Sequence, residues 1–122
     1  MGNVQVLIVD DYPQMRHLLR EVLHPHPGIS VIGEAGTGED AVTEAARLRP
    51  ALVIIDFHLP TMSGIEATRL IKLQSPSTAI IGLTAGVPGD AENTMLDFGA
   101  AAVLDKGDLL NTLHPTILKA VR

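Results

Sequence analysis

The sequence predicts an α/β fold, a three-layer doubly wound sandwich in which a five-stranded parallel sheet is flanked by five helices. Three observations carry that expectation. Short apolar runs alternate five times with segments of helical spacing along the 122 residues. The runs are nearly continuous rather than alternating in character, which is how strands covered on both faces read. The chain is 46% hydrophobic, yet its only aromatics are Tyr12, Phe57 and Phe98. Such a core must be built from Val, Ile, Leu and Ala, and that suits a parallel sheet buried on both sides.

Each element has its own signal. The first run, Val4–Val9, precedes Met15, Leu18, Leu19, Val22 and Leu23, which recur at i, i+3, i+4, i+7 and i+8 as one apolar stripe. Pro13 suits a first helical turn. A second run, Ile29–Gly33, leads to the stripe Ala41, Val42, Ala45 and Leu48, whose helix starts near Thr37–Glu39 and is closed by Pro50. The third run is Leu52–Ile55. Good helix formers of a less clean period follow over Gly64–Leu73, closed by Pro76. Ala79–Leu83 is the fourth run, and Ala91, Thr94, Met95 and Phe98 form a weaker stripe that Gly99 ends. After the fifth run, Ala101–Leu104, Asp108 is placed to cap a helix carrying Leu110, Leu113, Ile117 and Val121. Pro115 falls inside that helix. An interior proline costs about 3 kcal/mol or forces a kink, so the helix either bends or begins later.

Composition excludes several classes. With no cysteine, disulfides, thiolate metal sites and cysteine nucleophiles are ruled out. No long apolar run and no basic, then apolar N-terminus occurs, so neither a membrane span nor a secretory signal is expected. Nine basic against 14 acidic side chains give a net charge of −5, which argues against direct nucleic-acid binding. The expectation is a cytoplasmic protein whose residues 1–122 form one domain with no second domain.

The chemistry is suggested by where the runs end. Ligands of an open parallel sheet bind beyond the carboxyl ends of its strands, where strand order reverses. The first run ends in Asp10 and Asp11, the third in Asp56, the fourth at Thr84, and the fifth runs into Lys106. Three carboxylates, a hydroxyl and an ammonium therefore share one edge. Crowded carboxylates with open positions suit Mg²⁺, which neutralises them. A carboxylate can attack a phosphoryl group, and a lysine and a hydroxyl opposite would stabilise the transferring oxygens.

Blander readings stand beside these. Asp10 and Asp11 could simply cap the first helix. The glycines of GEAGTG lack the lysine of a phosphate-binding loop and read as a turn before a helix. His24-Pro-His26-Pro reads as a loop rather than a metal site, and Arg47 with Arg49 as the solvated face of the second helix.

Taken in order, VLIVDD (Val6–Asp11), IIDFHLPTMSG (Ile54–Gly64), LTA (Leu83–Ala85) and the lysine of VLDKGD (Val103–Asp108) resemble a response-regulator receiver domain of two-component signalling. The resemblance covers the whole chain. It implies a CheY-like, flavodoxin-like sheet of order 2-1-3-4-5. It implies Asp56 as phosphoacceptor, with Thr84 engaging the phosphoryl group and moving inward on activation, and Lys106 pairing with the phosphoryl group or the Asp56 carboxylate. It implies a Mg²⁺ site of Asp10 (through water), Asp11, Asp56 and the backbone carbonyl of His58. Pro60 and Gly64 would shape the loop, and Ala85 would leave room for phosphate. GEAGTGEDA further resembles receivers of NarL/LuxR-like transcriptional regulators. Three positions depart from the family pattern: Leu59 stands where methionine is common, and Gly107 where proline is common after the lysine. Val103 replaces the aromatic often paired with the threonine. His58 and Gly86 occupy the two variable positions beside the site.

The function expected is a phosphorylation-controlled switch rather than an enzyme acting on external substrates, with self-phosphorylation and autodephosphorylation chemistry at its own aspartate. A sensor histidine kinase would be the donor, transcription the output through a DNA-binding domain outside this chain. A homodimer through the face of the fourth helix, fifth strand and fifth helix is a further expectation. Competing classes are a stand-alone receiver, a degenerate phosphorylation-independent interaction module, and a Mg²⁺-dependent phosphohydrolase. Against the hydrolase, His58 stands where a second acid–base carboxylate would be needed.

Overall fold

The computed structural model describes residues 3–85 and 90–121, apart from the side chains of residues 90 and 91. Strands β1 (Val4–Val9), β2 (Ile29–Ala35), β3 (Leu52–Asp56), β4 (Ala79–Thr84) and β5 (Ala102–Asp105) alternate with helices α1 (Pro13–Leu23), α2 (Gly38–Leu48), α3 (Gly64–Gln74), α4 (Asp90–Asp97) and α5 (Leu109–Ala120). The sheet is parallel throughout, in the order β2-β1-β3-β4-β5. This is the flavodoxin-like, CheY-like arrangement anticipated above.

Alternate residues of each strand feed two separate cores, which is the period-2 consequence of the pleat. On one face Val6, Ile8, Leu52, Ile54, Ile81 and Leu83 pack against α1 and α5 through Leu19, Leu23, Leu113 and Ile117. On the other, Leu7, Val9, Val53, Ile55 and Ile80 meet α2, α3 and α4 through Ala41, Ala45, Ala67, Ile71 and Met95. The central strand β3 is buried along its whole length, as a doubly covered strand should be. The edges differ from that expectation: most of β2 and all of β5 are only half-buried or more open, because each has one neighbour.

Helix starts follow their caps. The Thr37 hydroxyl accepts from the Asp40 N–H and opens α2, and Ser63 accepts from the Glu66 N–H to open α3. Pro13 occupies the first turn of α1. Gly99, at φ +111°, turns the chain after α4 in a conformation only glycine adopts freely. Asp108 is at the start of α5, but its side chain caps no backbone N–H and instead accepts from Asn111 Nδ2 at 2.9 Å. The local turn is made one residue group earlier, where Asp105 Oδ1 accepts from the Gly107 N–H at 2.9 Å and a 3₁₀ turn covers Lys106–Asp108. The Pro115 alternatives resolve as one continuous α5 with the proline inside it. Pro115 and Asn111, whose carbonyl loses its usual partner, both lie on the exposed side, where water can serve instead.

Candidate functional site

Strand order reverses between β1 and β3, so the chain leaves these two neighbours in opposite directions and opens a crevice at their carboxyl ends. The sequence places acids there. Asp10 and Asp11 follow β1, and Asp56 ends β3. One oxygen from each of the three carboxylates lies within 4.8 Å of the others. Lys106, immediately after β5, reaches across so that Nζ stands 2.9 Å from Asp10 Oδ2 and 3.2 Å from Asp56 Oδ2.

Backbone geometry holds the acids in place. Asp10, fully buried, accepts the Tyr12 N–H on Oδ1 at 2.9 Å. Asp56 Oδ1 accepts the His58 N–H at 3.1 Å. Gly64 is the tightest point of the loop after β3, since a Cβ there would stand 2.1 Å from the Asp56 carbonyl oxygen. Thr61 in that loop has φ +64°, an unfavourable region for a β-branched residue, and its hydroxyl meets the Glu39 carboxylate at the start of α2.

Burial and charge pull Asp56 in opposite directions. Desolvation raises its pKa most strongly, Lys106 lowers it, Asp10 raises it again, and the balance leaves Asp56 above the usual carboxylate value. Lys106 shows the complementary result. Burial disfavours its charge, but Asp10 and Asp56 outweigh that and raise its pKa. It is therefore an ammonium at neutral pH.

The donor set fits a hard divalent cation. Asp11 Oδ1 is buried with no hydrogen-bond partner, an arrangement that is costly unless something binds there. Carboxylate oxygens are the ligands Mg²⁺ prefers. Among the described residues no other group of three His, Asp or Glu side chains is placed to hold a metal, and His24 and His26 form no such site. His26 instead stacks on His114 with ring centroids 3.7 Å apart.

The structure thus clusters Asp10, Asp11 and Asp56 and pairs Lys106 with Asp10 and Asp56. Thr84 ends β4 half-buried, one step beyond the Leu83 that pairs with Asp56, and Ala85 after it is exposed. His58 is exposed, its ring edge-on to Phe57 at 4.7 Å. Gly86 lies outside the described residues. Val103 pairs with Gly82 and joins the second core. Two groups beside the site were not singled out in the sequence, Arg16 and Glu34. Their signal was an acidic residue at the end of an apolar strand, which needs a cationic partner when half-buried.

The chain matches the response regulator receiver domain family over residues 6–117. It is 46% identical over 105 residues to protein-glutamate methylesterase/protein-glutamine glutaminase 1 of Syntrophus aciditrophicus, covering 84% of this chain and 30% of that protein. It is 32% identical over 114 residues to response regulator GacA of Pseudomonas protegens, covering 93% of this chain and 54% of that one. Among solved structures, the response regulator domain of Thermotoga maritima CheB superposes with a TM-score of 0.90 at 28% identity, covering 98% of this chain and 96% of that domain. The chain spans under a third of the methylesterase and about half of GacA. A match that takes in both cores, the acidic crevice and Lys106 leaves one assignment: this chain belongs to the response regulator receiver domain family.

Proposed function

We propose that Asp56 accepts a phosphoryl group from the phosphohistidine of a sensor histidine kinase and that this modification switches an output. The observation that carries the reading is the Asp56 carboxylate at a strand end, clustered with Asp10 and Asp11 and facing an ammonium at 3.2 Å. An Asp56 carboxylate oxygen attacks phosphorus, a P–O bond forms, the P–N bond to imidazole breaks, and the imidazole departs with the electron pair. The Lys106 ammonium and the Thr84 hydroxyl meet the phosphoryl oxygens, where charge is spread in the transition state. Asp10 (through water), Asp11, Asp56 and the His58 carbonyl would hold Mg²⁺, which when bound supplies neutralisation of the carboxylates and of the incoming phosphoryl group.

Two outputs have an observation behind them. The GEAGTGEDA motif, which resembles receivers of NarL/LuxR-like transcriptional regulators, favours control of transcription, and the methylesterase relative favours control of an esterase activity. In either case residues 1–122 act as the receiver, a signalling module rather than the unit that turns over substrate. No helix among the described residues is long and apolar enough to cross a membrane. Leu110 and Leu118 on α5, with Leu96 on α4, are exposed, which supports a homodimer through the α4-β5-α5 face.

The test is intact mass after incubation with acetyl phosphate, with Mg²⁺ and with EDTA, beside Asp56→Asn. One base-labile phosphoryl adduct, absent with EDTA and absent in the variant, is expected. Normal phosphate uptake by Asp56→Asn overturns the assignment of the acceptor. Catalytic phosphate release without an adduct, and without beryllofluoride binding, points to the hydrolase. Neither adduct nor release, with no Mg²⁺ binding, points to a degenerate interaction module.

A further inference from the structure

Arg16, on α1, has no part in the chemistry above, yet it touches the acidic loop directly. Its Nη1 donates to the Asp10 carbonyl at 2.6 Å, and its Nε donates to Glu34 Oε1 at 2.7 Å. Glu34 is also bound by Arg20. Burial alone would push the Glu34 carboxyl up, but hydrogen bonds from Arg20 and Arg16 outweigh it and hold it below the usual range. Glu34 is thus a fixed anion at the end of β2, and the planar fork of Arg16 spans from it to the loop.

The contact matters because of what the Asp10 carbonyl controls. The remaining polar atoms of Asp10 have their own partners. Its N–H donates to the Ala35 carbonyl at 3.1 Å, Oδ1 accepts from Tyr12, and Oδ2 faces Lys106. The carbonyl, held by Arg16, lies in the plane of the peptide that joins Asp10 to Asp11. Fixing that plane fixes the direction in which Asp11 leaves the chain. Asp11 Oδ1, buried and without a hydrogen-bond partner, depends on this backbone for its aim.

We infer that Arg16, anchored by Glu34, is a positioning residue for the acidic pair: it sets the Asp10–Asp11 peptide so that Asp11 faces the cluster before a divalent cation arrives. The inference rests on the Mg²⁺ reading proposed above. Its sign separates it from simple electrostatics. Arg16 is a cation beside a cation site, so by Coulomb repulsion alone its removal would tighten Mg²⁺ binding. Loss of positioning weakens it.

The experiment is calorimetric titration of Mg²⁺ into the wild-type chain, Arg16→Gln, Arg16→Lys and Glu34→Gln, each checked by a metal-free thermal melt. Removing an outer partner of a metal ligand lowers affinity by about tenfold at the weaker end of its usual range, and that is the expectation for Arg16→Gln. Arg16→Lys should be intermediate, because an ammonium reaches the carbonyl or Glu34 but not both in fixed geometry. Acetyl phosphate labelling of Arg16→Gln should be slow at limiting Mg²⁺ and recover at saturating Mg²⁺, which a merely structural role would not produce. A folded Arg16→Gln that binds Mg²⁺ as tightly as wild type, or tighter, overturns the inference. So does labelling that saturating Mg²⁺ fails to restore. If Arg16→Gln does not fold, Arg16→Lys and Glu34→Gln are judged by the same affinity criterion. A wild-type chain that binds no Mg²⁺ overturns the metal reading itself, an outcome distinct from the others.

Discussion

Replacing Lys106 by methionine keeps the aliphatic stem and removes the charge that bridges Asp10 and Asp56. Breaking a buried ion pair by deleting one partner costs about 3–5 kcal/mol, because the other charge is left uncompensated. Two features of the site reduce that. The Lys106 side chain is 20% exposed, so some water already reaches the ammonium. Asp56, already raised above the usual carboxylate value, can also take up a proton once Lys106 no longer opposes it. We therefore expect a loss of about 2–3 kcal/mol at neutral pH without divalent cations, a fall in Tm of roughly 10 °C for a domain of this size.

The pH dependence has a definite sign. Lys106 has a raised pKa, so its contribution is fully present below the ordinary lysine value and fades only as pH rises through the raised one. Because Lys106 stays charged across the neutral range, the deficit there follows the protonation of Asp56 alone. It shrinks on acidification, as Asp56 becomes protonated and no longer needs a counter-charge. Urea unfolding of both proteins over a pH series, without and with saturating Mg²⁺, measures this. Mg²⁺ should return most of the lost stability, since the cation replaces the missing charge. A variant as stable as wild type at neutral pH without Mg²⁺ would refute the reasoning, as would a deficit that persists unchanged in acid.

Three further outcomes are expected. Asp56→Asn should stabilise the metal-free chain at neutral pH: a carboxyl with a raised folded pKa contributes stability only below its ordinary range, so the gain should vanish in acid melts. Gly64→Ala should cost about 3 kcal/mol or more in denaturant unfolding and slow acetyl phosphate labelling, because its Cβ would meet backbone at 2.1 Å, which cannot yield like a side chain. Gly82→Ala should cost only about 1–2 kcal/mol with labelling intact, since its Cβ would meet the flexible end of Met95, with Sδ at 2.6 Å.

The central strands were legible because a doubly covered strand leaves a nearly unbroken apolar run, and β3, β4 and β1 from Val6 onward have one. The reading of β2 stopped at Gly33 although the strand reaches Ala35, because Glu34 interrupts the run. That charge is tolerated only through Arg16 and Arg20, contacts set by how α1 packs on the sheet. Pro115 could not be resolved from its neighbours, since helix continuation depends on whether the freed carbonyl faces water. Asp10, Asp11, Asp56 and Lys106 were legible as one edge because a parallel sheet sends every strand's carboxyl end the same way. The Lys106 contact with Asp56 was implied only by the family resemblance, and its contact with Asp10 was not legible, because side-chain reach is decided in three dimensions. Thr61 at positive φ carries no local signal at all; its contact with Glu39 spans 22 residues.

What the site does with its charges explains why these residues sit together at a cost to the fold. Three carboxylates and one ammonium leave two negative charges in the crevice, with Asp10 fully buried. A structure selected for stability alone would fill that position with apolar groups, since buried ion pairs rarely surpass them. The Tyr12 and His58 N–H groups and the Lys106 ammonium make the cluster tolerable without making it neutral. One divalent cation removes the residual charge, and a phosphoryl group on Asp56, near −2 at neutral pH, would restore the demand for a counter-charge. Lys106 is already within reach of Asp56 to meet that demand. Asp10 and Asp56 share a single ammonium, so changing the charge on Asp56 would change which of them Lys106 binds more strongly.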